Sequence, residues 1–210
     1  MLLDINDLQN KIRGVFHIGA FIGEEVNLYK YLNVQHAIFF EPLKHIYKIL
    51  VQNVGNFGKT YNCALGNFNG QVSIHVSEFN PPLPYYTGAS SSILQPKKHL
   101  EIHPNIVFDK TEVVDVKRLD DLVQEDSIDC SQYNMMNIDV QGYELEVLKG
   151  SVNTLNHIEY IVTEVNREET YQGCALVTEI DEFLLAYNLV RINTTWAGGI
   201  WGDALYVRQN

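Results

Sequence analysis

The stretch Asn134–Gly150, NMMNIDVQGYELEVLKG, decides the fold. Its first part, with the apolar residues Met135, Met136 and Ile138, predicts a buried strand, and Asp139 follows where that strand should end. Gly142 permits a sharp turn, and the residues after it predict a short helix that stops at the final glycine. Because ligands bind beyond the carboxyl ends of the strands in open α/β sheets, we expect Asp139 in a ligand crevice. The alternative is that Asp139 only caps the turn.

A similar strand–turn–helix unit lies near the start of the chain. Residues 15–18 predict a strand, Gly19 to Gly23 a glycine-containing turn, and residues 24–32 a helix. Glycines let the backbone approach a ligand closely, and a helix start offers free N–H groups. The spacing is G-x-x-x-G, so the G-x-G-x-x-G dinucleotide fingerprint is not met. A turn that binds no ligand is the alternative.

The next strand, Ala37–Phe40, ends in Glu41, which lies 22 residues after Gly19. An acid at this strand tip can accept both hydroxyls of a ribose, and the expected spacing for that role is about 20 residues. The glycine turn and Glu41 together therefore predict a ligand that contains a nucleoside. A surface acid before a proline is the alternative.

These motifs resemble the FkbM family of S-adenosylmethionine-dependent methyltransferases. The central stretch is similar to that family's I-D-V-E-G-x-E-x-x-V-L-K-G signature, with Gln141 where the family more often has Glu. Residues 16–23, F-H-I-G-A-F-I-G, resemble its cofactor loop, and residues 39–42, F-F-E-P, resemble its ribose-binding end. The family usually has Asp where this chain has His17. Its members methylate hydroxyl oxygens, commonly on sugars or on natural products.

The resemblance implies a class I methyltransferase (Rossmann-like) fold, with a mostly parallel seven-stranded sheet, helices on both faces and the last strand antiparallel. The alternation of strand and helix patterns independently predicts a mostly parallel α/β sheet. The resemblance also implies S-adenosyl-L-methionine as cofactor, with Asn62, Cys63 and Ala64 near the adenine. The candidate cofactor-binding residues are His17, Gly19, Ala20, Phe21, Gly23, Glu41, Pro42, Cys63, Ala64, Ser91 and Asp139.

The transfer of a methyl group to a sugar hydroxyl is helped by a base, because such a hydroxyl is a poor acid. Asp139 is the first candidate, and His17 and Glu164 come next. Glu164 ends a predicted strand, residues 158–165, and it would stand beside Asp139 in the usual strand order.

Candidate acceptor-binding residues are Ser92, Tyr143, Asn166 and Trp196. Trp196 and Trp201 lie in a predicted loop, residues 194–202, and Tyr85 and Tyr86 lie in another. Aromatic rings in loops can stack on the C–H-rich face of a sugar; a buried hairpin corner is the alternative for the tryptophans.

Residues 78–104 are the least regular part of an expected single domain, 1–210. Four of the six prolines lie between Pro81 and Pro96, which predicts a long functional loop or a lid. The hydroxyls of Ser90–Ser92 are candidates for binding acceptor or cofactor. His99 and His103 are four residues apart, but Pro104 argues against a helical metal pair, and we expect no metal site.

The composition limits the partners. The net charge is −11, from 15 Lys and Arg against 26 Asp and Glu, which argues against nucleic acid as acceptor. Three cysteines without C-x-x-C spacing indicate reduced thiols and a cytoplasmic protein. No apolar run reaches membrane-spanning length, and the first residues do not resemble a signal peptide. The oligomeric state stays open.

Several local expectations complete the prediction. We expect a helix over residues 5–12, a third strand over residues 60–64, and a strand of hairpin type over residues 71–76. Asp120 and Asp121 are expected to form a solvated helix start. Residues 175–187 predict an amphipathic helix.

The sequence therefore predicts an S-adenosylmethionine-dependent O-methyltransferase that acts on a sugar hydroxyl, such as that of a terminal residue in a glycan or glycoside. An inactive cofactor-binding module is one alternative, because His17 replaces the usual acid. A non-sugar natural product is an alternative acceptor. A nicotinamide-dependent oxidoreductase is disfavoured by the glycine spacing, and a glycosyltransferase by the absence of a D-x-D motif.

Overall fold

The computed structural model describes residues 3–83 and 87–209 of the chain. The strands, in chain order, are β1 Gly14–Ile18, β2 His36–Phe40, β3 Lys59–Tyr61, β4 Ala64–Leu65, β5 Gly70–Phe79, β6 Ile106–Lys117, β7 Met135–Ile138, β8 Tyr160–Asn166, β9 Leu189–Ala197 and β10 Trp201–Arg208. The α-helices are α1 Val26–Tyr31, α2 Lys44–Val54, α3 His99–Ile102, α4 Leu119–Glu125, α5 Glu144–Lys149 and α6 Val177–Leu185.

Seven strands form the main sheet, in the order β3-β2-β1-β7-β8-β10-β9. The pairs from β3 to β8 are parallel, whereas β10, the last strand of the chain, runs antiparallel to both of its neighbours. The predicted fold class is therefore confirmed: a mostly parallel seven-stranded sheet with its last strand antiparallel. A second sheet has three strands, in the order β4-β6-β5.

Side chains alternate between the two faces of the main sheet, as the two-residue period of a strand requires. On β1, Phe16 and Ile18 pack in a core with residues of α4, α5 and α6. Val15, on the opposite face, packs in a core with residues of α1 and α2. Helices therefore cover both faces, which explains why β1 and β7 are buried along their whole length.

The predicted central strand and helix are present, as β7 and α5. Two other local predictions were wrong in extent. Residues 5–12 form only a single 3-10 turn at Asn6–Leu8, although Ile5, Leu8 and Ile12 are buried as an apolar face would be. The expected third strand over residues 60–64 is divided, because β3 pairs with β2 while β4 pairs with β6 in the second sheet.

The strand expected over residues 71–76 is longer than predicted and has a distant partner. It is β5, which pairs antiparallel with β6.

The predicted loop around the two tryptophans was wrong, because Trp196 belongs to β9 and Trp201 to β10. Within residues 78–104, β5 continues to Phe79 and α3 is helical, so part of this segment is regular. Tyr85 and Tyr86 lie outside the described residues.

Asp120 contradicts the expectation of a solvated helix start. Its carboxylate is buried and accepts hydrogen bonds from Asn153 N and Thr154 N, both at 2.9 Å, and from Thr154 Oγ1 at 2.8 Å. Asp120 therefore joins α4 to the turn at Thr154–His157. Asp121 is half-buried and accepts hydrogen bonds from Arg118 and Asn69, as a surface acid can.

Candidate functional site

The tips of three neighbouring strands meet at one edge of the main sheet. The order β2-β1-β7 places Glu41, Gly19 and Asp139 side by side, because each residue directly follows its strand. Gly19 N donates to Phe40 O at 3.1 Å, and Asp139 N donates to Ile18 O at 3.0 Å. The parallel ladder therefore continues to the strand tips and holds these backbones together.

Gly19 is required at this point for two reasons. Its φ is +77°, in the left-handed region that residues with a Cβ rarely adopt. A Cβ added there would lie 1.8 Å from the carbonyl oxygen of Asp139. The turn after β1 can therefore approach β7 this closely only with glycine.

Three cavities open along this edge. The Glu41 cavity is lined by residues of the strand tips and of the segment 88–93, among them Phe21, Glu41, Ala64 and Tyr143. The carboxylate cavity, of about 120 Å³, contains the side chains of Glu24, Glu25, Asp139, Glu164 and Asp203 in its lining. The aromatic cavity, of about 470 Å³, is lined by Phe79, Ala89, Ser90, His99, Ile102, His103, Ile106, Gln141, Glu164, Thr170, Tyr171 and Trp201.

The three cavities share walls. Ala89 lines all three, Asp139 lines the Glu41 and carboxylate cavities, and Gln141 lines the Glu41 and aromatic cavities. Glu164 lines the carboxylate and aromatic cavities. The three cavities therefore meet around Asp139, Gln141 and Glu164, which we call the junction. A ligand in one cavity would lie close to the other two cavities there.

Glu41 is buried at the tip of β2, and backbone groups fix both of its carboxylate oxygens. Oε2 accepts a hydrogen bond from Phe21 N at 3.1 Å, and Oε1 accepts one from Leu43 N at 2.8 Å. Burial raises the pKa of Glu41 to about 8, although both backbone hydrogen bonds favour the ionised form. When ionised, each oxygen retains a second lone pair, so the carboxylate can accept two ligand hydroxyls, and these donors would in turn favour the ionised form.

Most candidate cofactor residues line the Glu41 cavity. They are Gly19, Phe21, Glu41, Pro42, Cys63, Ala64, Ser91 and Asp139. His17 and Ala20 line the carboxylate cavity instead. Gly23 lines none of the three and donates its N–H to Ala20 O at 2.8 Å, which closes the turn. Asn62 donates to the carbonyl oxygens of Glu41 and Pro42, both at 2.9 Å, so it supports the wall from behind.

Gln141 connects Asp139, which follows β7, with Glu164, which lies near the end of β8. Its Nε2 donates to Asp139 Oδ1 at 2.7 Å and to Glu164 Oε2 at 3.0 Å. Its Oε1 accepts from the Tyr171 hydroxyl at 2.8 Å, and its backbone oxygen accepts from Ser92 Oγ at 2.7 Å. A glutamate in place of Gln141 would bring a third carboxylate between Asp139 and Glu164, whereas the amide supplies a donor to both.

The acids around this junction hold their protons more tightly than usual. Burial raises the pKa of Asp139 to about 6; the Gln141 hydrogen bond opposes the rise and the charge of Asp203 adds to it. The residue as a whole is exposed at the crevice, so water moderates this rise. Burial, and then the charges of Asp139, Glu144 and Asp203, raise the pKa of Glu164 well above its usual range.

Glu144 has a structural place beside these acids. It is buried in the first turn of α5, and its Oε1 accepts from Gly142 N at 2.9 Å and Val140 N at 3.2 Å. Burial raises its pKa to about 7. The carboxyl therefore holds the turn between Asp139 and α5, as a side chain that caps the turn does.

His17 lies beneath the carboxylate cavity and is buried. Its Nδ1 is 3.2 Å from the Tyr29 hydroxyl, and its Nε2 is 3.3 Å from Asn137 Nδ2 and 3.9 Å from Glu25 Oε2. Burial lowers the pKa of His17, although Glu25 opposes this. Both ring nitrogens thus face buried polar partners, and the ring is neutral near pH 7.

The serine run docks across the junction of the cavities. Ser90 lines the aromatic cavity and its carbonyl oxygen accepts from the Tyr171 hydroxyl at 2.9 Å. Ser91 lines the Glu41 cavity and its Oγ accepts from Ser77 N at 2.9 Å. Ser92 is fully buried, so its contact with Gln141 is structural in this state. The serine run therefore forms part of the walls of the Glu41 cavity and the aromatic cavity.

One ring nitrogen in the wall of the aromatic cavity lacks a hydrogen-bond partner among the described residues. His99 is 6% exposed, and its Nδ1 is buried without a hydrogen bond among the residues the structure describes. Its ring packs 5.2 Å from Tyr171, 4.9 Å from His103 and 5.4 Å from Phe108, measured between ring centroids. Burial, and then His103, lower the pKa of His99 to about 4, so the ring is neutral. A buried polar atom left unpaired costs ~1–3 kcal/mol.

The other acceptor candidates lie apart from the aromatic cavity. Tyr143 lines the Glu41 cavity. Asn166 is fully buried, and its Oδ1 accepts from the Thr170 hydroxyl at 2.8 Å. Trp196 lines none of the three cavities, and the Arg167 guanidinium lies 3.9 Å from its ring centroid.

Sequence reasoning missed several residues of the junction. Asp203 reaches it from β10, where it pairs with Glu164 across the antiparallel ladder. Tyr171 reaches it from the polar loop after β8, and Ala89 from the segment before the serine run. A signal was available only for Asp203, since an acid within an otherwise apolar strand is unusual.

Two further findings concern metals and membranes. Among residues 3–83 and 87–209, no group of three or more His, Cys, Asp or Glu side chains is arranged to hold a metal ion. No helix within the same residues is long and apolar enough to span a bilayer.

Comparison with known protein families assigns the chain. Residues 17–190 match the model of the methyltransferase FkbM domain. The chain belongs to the FkbM methyltransferase family. It is 28% identical over 194 residues to the 2-O-methyltransferase NoeI of Sinorhizobium fredii (strain NBRC 101917 / NGR234). That alignment covers 91% of this chain and 77% of the relative.

Solved structures show the same fold at low identity. A candidate tRNA methyltransferase of Streptococcus pneumoniae, solved with S-adenosyl-L-methionine, has a TM-score of 0.51 and 10% identity, and the match covers 100% of this chain and 75% of that one. An uncharacterized protein of Listeria monocytogenes serotype 4b also has a TM-score of 0.51, with 8% identity over 99% of this chain and 68% of that one. These similarities show the class I methyltransferase fold.

This FkbM-family protein is therefore an S-adenosylmethionine-dependent methyltransferase. The described residues fit that cofactor. The carboxyl of Glu41 could accept the hydroxyls of a ribose, apolar residues such as Ala64 and Leu65 could border an adenine, and the acids of the carboxylate cavity would suit a positive charge. The sequence prediction of family, fold and cofactor is thereby confirmed.

Proposed function

We propose that this methyltransferase modifies a hydroxyl oxygen of a sugar, as in a terminal residue of a glycan or glycoside. The observation that carries the proposal is the aromatic cavity, which shares Gln141 and Glu164 with the junction beside Asp139. A wall rich in aromatic rings suits the C–H face of a sugar. Similarity to a 2-O-methyltransferase supports oxygen as the atom that receives the methyl group.

The donor is held by the Glu41 cavity in this proposal. When bound, S-adenosylmethionine supplies a methyl group that its sulfonium has already activated. Glu41 accepts the ribose hydroxyls, the segment Cys63–Ala64 faces the adenine, and the turn Gly19–Gly23 borders the methionine part together with Ser91. The remaining task of the protein is to align the acceptor hydroxyl and to remove its proton.

Asp139 is the proposed base. Its Oδ1 accepts the Gln141 amide, which leaves Oδ2 to take the proton of the acceptor hydroxyl. Its pKa of about 6 keeps it ionised near neutral pH and still able to accept a proton. Glu164 is the second choice because its raised pKa favours the protonated form. His17 is the third, because both of its ring nitrogens face buried partners.

The other predicted acceptor residues have supporting places in this proposal. Ser92 Oγ donates to Gln141 O at 2.7 Å, and Asn166 Nδ2 donates to Glu164 Oε1 at 3.4 Å, so these two residues hold Gln141 and Glu164 in position. Tyr143 borders the donor. We also propose that the transfer needs no divalent ion, that residues 1–210 act as one domain, and that the reaction takes place in the cytoplasm.

An acceptor screen tests the function. Purified protein is incubated with donor carrying a labelled methyl group, in EDTA, against panels of glycosides, phenolic natural products, proteins and RNA. We expect label on sugars, in a bond that resists hydrolysis as an ether does. Label only on phenols, proteins or RNA would exclude the sugar assignment, and donor binding without any transfer would favour the inactive module. Activity that returns only when magnesium replaces EDTA would show a metal requirement.

We expect Glu41→Ala to weaken binding of the donor by more than tenfold, about 1.4 kcal/mol. The physical reason is the loss of two hydroxyl-to-carboxylate hydrogen bonds in a buried site. Calorimetry with S-adenosylhomocysteine and with its 2′,3′-dideoxy analogue measures the effect. The unchanged protein should prefer the ribose form, whereas the variant should bind both forms equally weakly.

The dideoxy analogue also controls for the structural bonds that Glu41 makes to Phe21 and Leu43. A loosened turn would weaken both ligands in the variant but leave the preference for ribose intact. That outcome would show that Glu41 shapes the turn and does not bind the ribose.

A further inference from the structure

We infer that the aromatic cavity is the acceptor site and that it takes an uncharged sugar ring, packed against Trp201, while it rejects sugars that carry a carboxylate or phosphate. The inference rests on the proposed function, because it names the class of acceptor for the same reaction.

The dimensions and walls of the cavity fit a single sugar ring with part of its aglycone or neighbouring residue. Its volume of about 470 Å³ lies in the usual range for sites that enclose small ligands, ~300–1,000 Å³. The rings of Trp201 and His103 meet edge to face, with centroids 6.4 Å apart, and Phe79 and Tyr171 complete the aromatic lining. Such rings pack against C–H faces and leave sugar hydroxyls free for polar partners.

The polar groups of the wall suit hydroxyls. Gln141, Thr170 and the carboxyl of Glu164 line the cavity and can accept or donate hydrogen bonds. A hydroxyl both donates and accepts, so it can pair with any of these groups. These groups already have protein partners, so a ligand hydroxyl would use their remaining hydrogen-bonding capacity, which a purely apolar ligand would leave unused.

The charges of the wall are unfavourable to anions. No lysine or arginine is present among the described residues that line any of the three cavities. His99 is neutral, and Glu164 borders the cavity with Asp139 and Asp203 behind it. An anionic substituent would therefore meet no opposing positive charge in the wall and would lie near the ionised Asp139, in a site where water screens poorly.

The lysine and arginine side chains that neighbour His99 and Thr170 in the sequence have partners outside the cavity. Lys97 and Lys98, which precede α3, form ion pairs with Glu169 and Glu168. Arg167 lies over the ring of Trp196 and donates to Gly199 O at 3.2 Å. None of these side chains lines the aromatic cavity.

Matched acceptors test the charge selectivity. Methyl glycosides of common hexoses and 6-deoxyhexoses are compared with the corresponding uronic acids and with the uronamides, which keep the shape of the acid without its charge. We expect the neutral sugars and the uronamides to be methylated with similar kcat/KM, and the uronic acids to react ~10²-fold less well. Uronic acids within threefold of their uronamides would overturn the inference while leaving sugar methylation intact. Methylation of none of them, with transfer to another class of acceptor, would remove the proposed function itself.

The two tryptophans of the β9–β10 hairpin give a matched pair of variants. Trp201→Leu should raise the KM for the acceptor at least ~10-fold, with little change in kcat or in donor affinity. Trp196→Leu alters the same hairpin outside the aromatic cavity and should change the KM less than about threefold. Trp201→Phe keeps an aromatic ring and should restore most of the affinity, even if the leucine variant folds poorly. A larger effect of Trp196→Leu on the KM would place the acceptor elsewhere.

Discussion

Asp139→Asn is expected to bind S-adenosylmethionine normally and yet to lose methyl transfer by ~10²-fold or more. The asparagine keeps the size of the side chain and can still accept the Gln141 amide through its own oxygen. It cannot take a proton from the acceptor. Single-turnover assays with saturating donor measure the loss, and calorimetry verifies that the donor still binds.

Glu164→Gln is the control for this variant. Burial and the neighbouring acids raise the pKa of Glu164 well above its usual range, which favours its protonated form. The amide keeps the uncharged form, although its NH2 group must face one of the two amide donors, Gln141 or Asn166, so we expect a loss of less than ~10-fold. A larger loss for Glu164→Gln than for Asp139→Asn would exchange the roles of the two acids.

The pH dependence provides a second readout of the same assignment. A protonated Asp139 cannot act as a base, so kcat/KM for the donor should be low at pH 5 and rise through about pH 6. A further rise is expected near pH 8, where Glu41 ionises and accepts the ribose hydroxyls more strongly. The positive sulfonium favours the ionised carboxylate, so kcat should rise at a lower pH than kcat/KM does. In Asp139→Asn the rise of kcat/KM near pH 6 should be absent. An unchanged profile in the variant would mean that another group supplies the base.

The parts of the fold that sequence predicted well are those with local causes. β7 and α5 were recognised because an apolar run, an acid and a glycine turn follow one another within a few residues. The helix expected over residues 175–187 is present as α6, because its apolar residues recur with the helical period. The tips at Glu41 and Asp139 follow from the same local reading together with the usual strand order.

The parts that sequence could not predict depend on distant partners. β5 pairs with β6 across a long intervening segment, so no local pattern identifies the second sheet. Asp120 is buried because Thr154 donates to it, which is known only once α4 packs against the turn after α5. The double contact of Gln141 with Asp139 and Glu164 similarly depends on the pairing of β7 with β8.

The tryptophans illustrate how the local environment decides a role. Trp196 and Trp201 have similar glycine-containing surroundings in the sequence, and Trp196 was the predicted acceptor residue. The structure places them on different strands of one hairpin, with only Trp201 in the aromatic cavity. The pleat of the strands and the turn between them, which sequence composition does not encode, determine which ring borders the cavity.

Gly19→Ala is expected to reduce kcat/KM by ~10²-fold or more and to lower the free energy of unfolding by ~3 kcal/mol or more. Its Cβ would lie 1.8 Å from Asp139 O, far inside van der Waals contact, and the atom it meets is backbone. The ends of β1 and β7 must therefore separate, which strains the 3.0 Å hydrogen bond from Asp139 N to Ile18 O and displaces the proposed base. Urea unfolding and steady-state kinetics measure the two effects.

Gly199→Ala separates this steric effect from the general cost of an alanine with positive φ. Gly199 has a φ of +82°, close to the +77° of Gly19, but a Cβ added to it meets no atom within 4 Å. The control should therefore show only the conformational penalty, ~1 kcal/mol, and keep its activity within about threefold. The excess loss in Gly19→Ala measures how closely β1 must approach β7 for Asp139 to be held at the crevice. If both variants lost equal activity and equal free energy of unfolding, the close approach of β1 to β7 at Gly19 would not be needed.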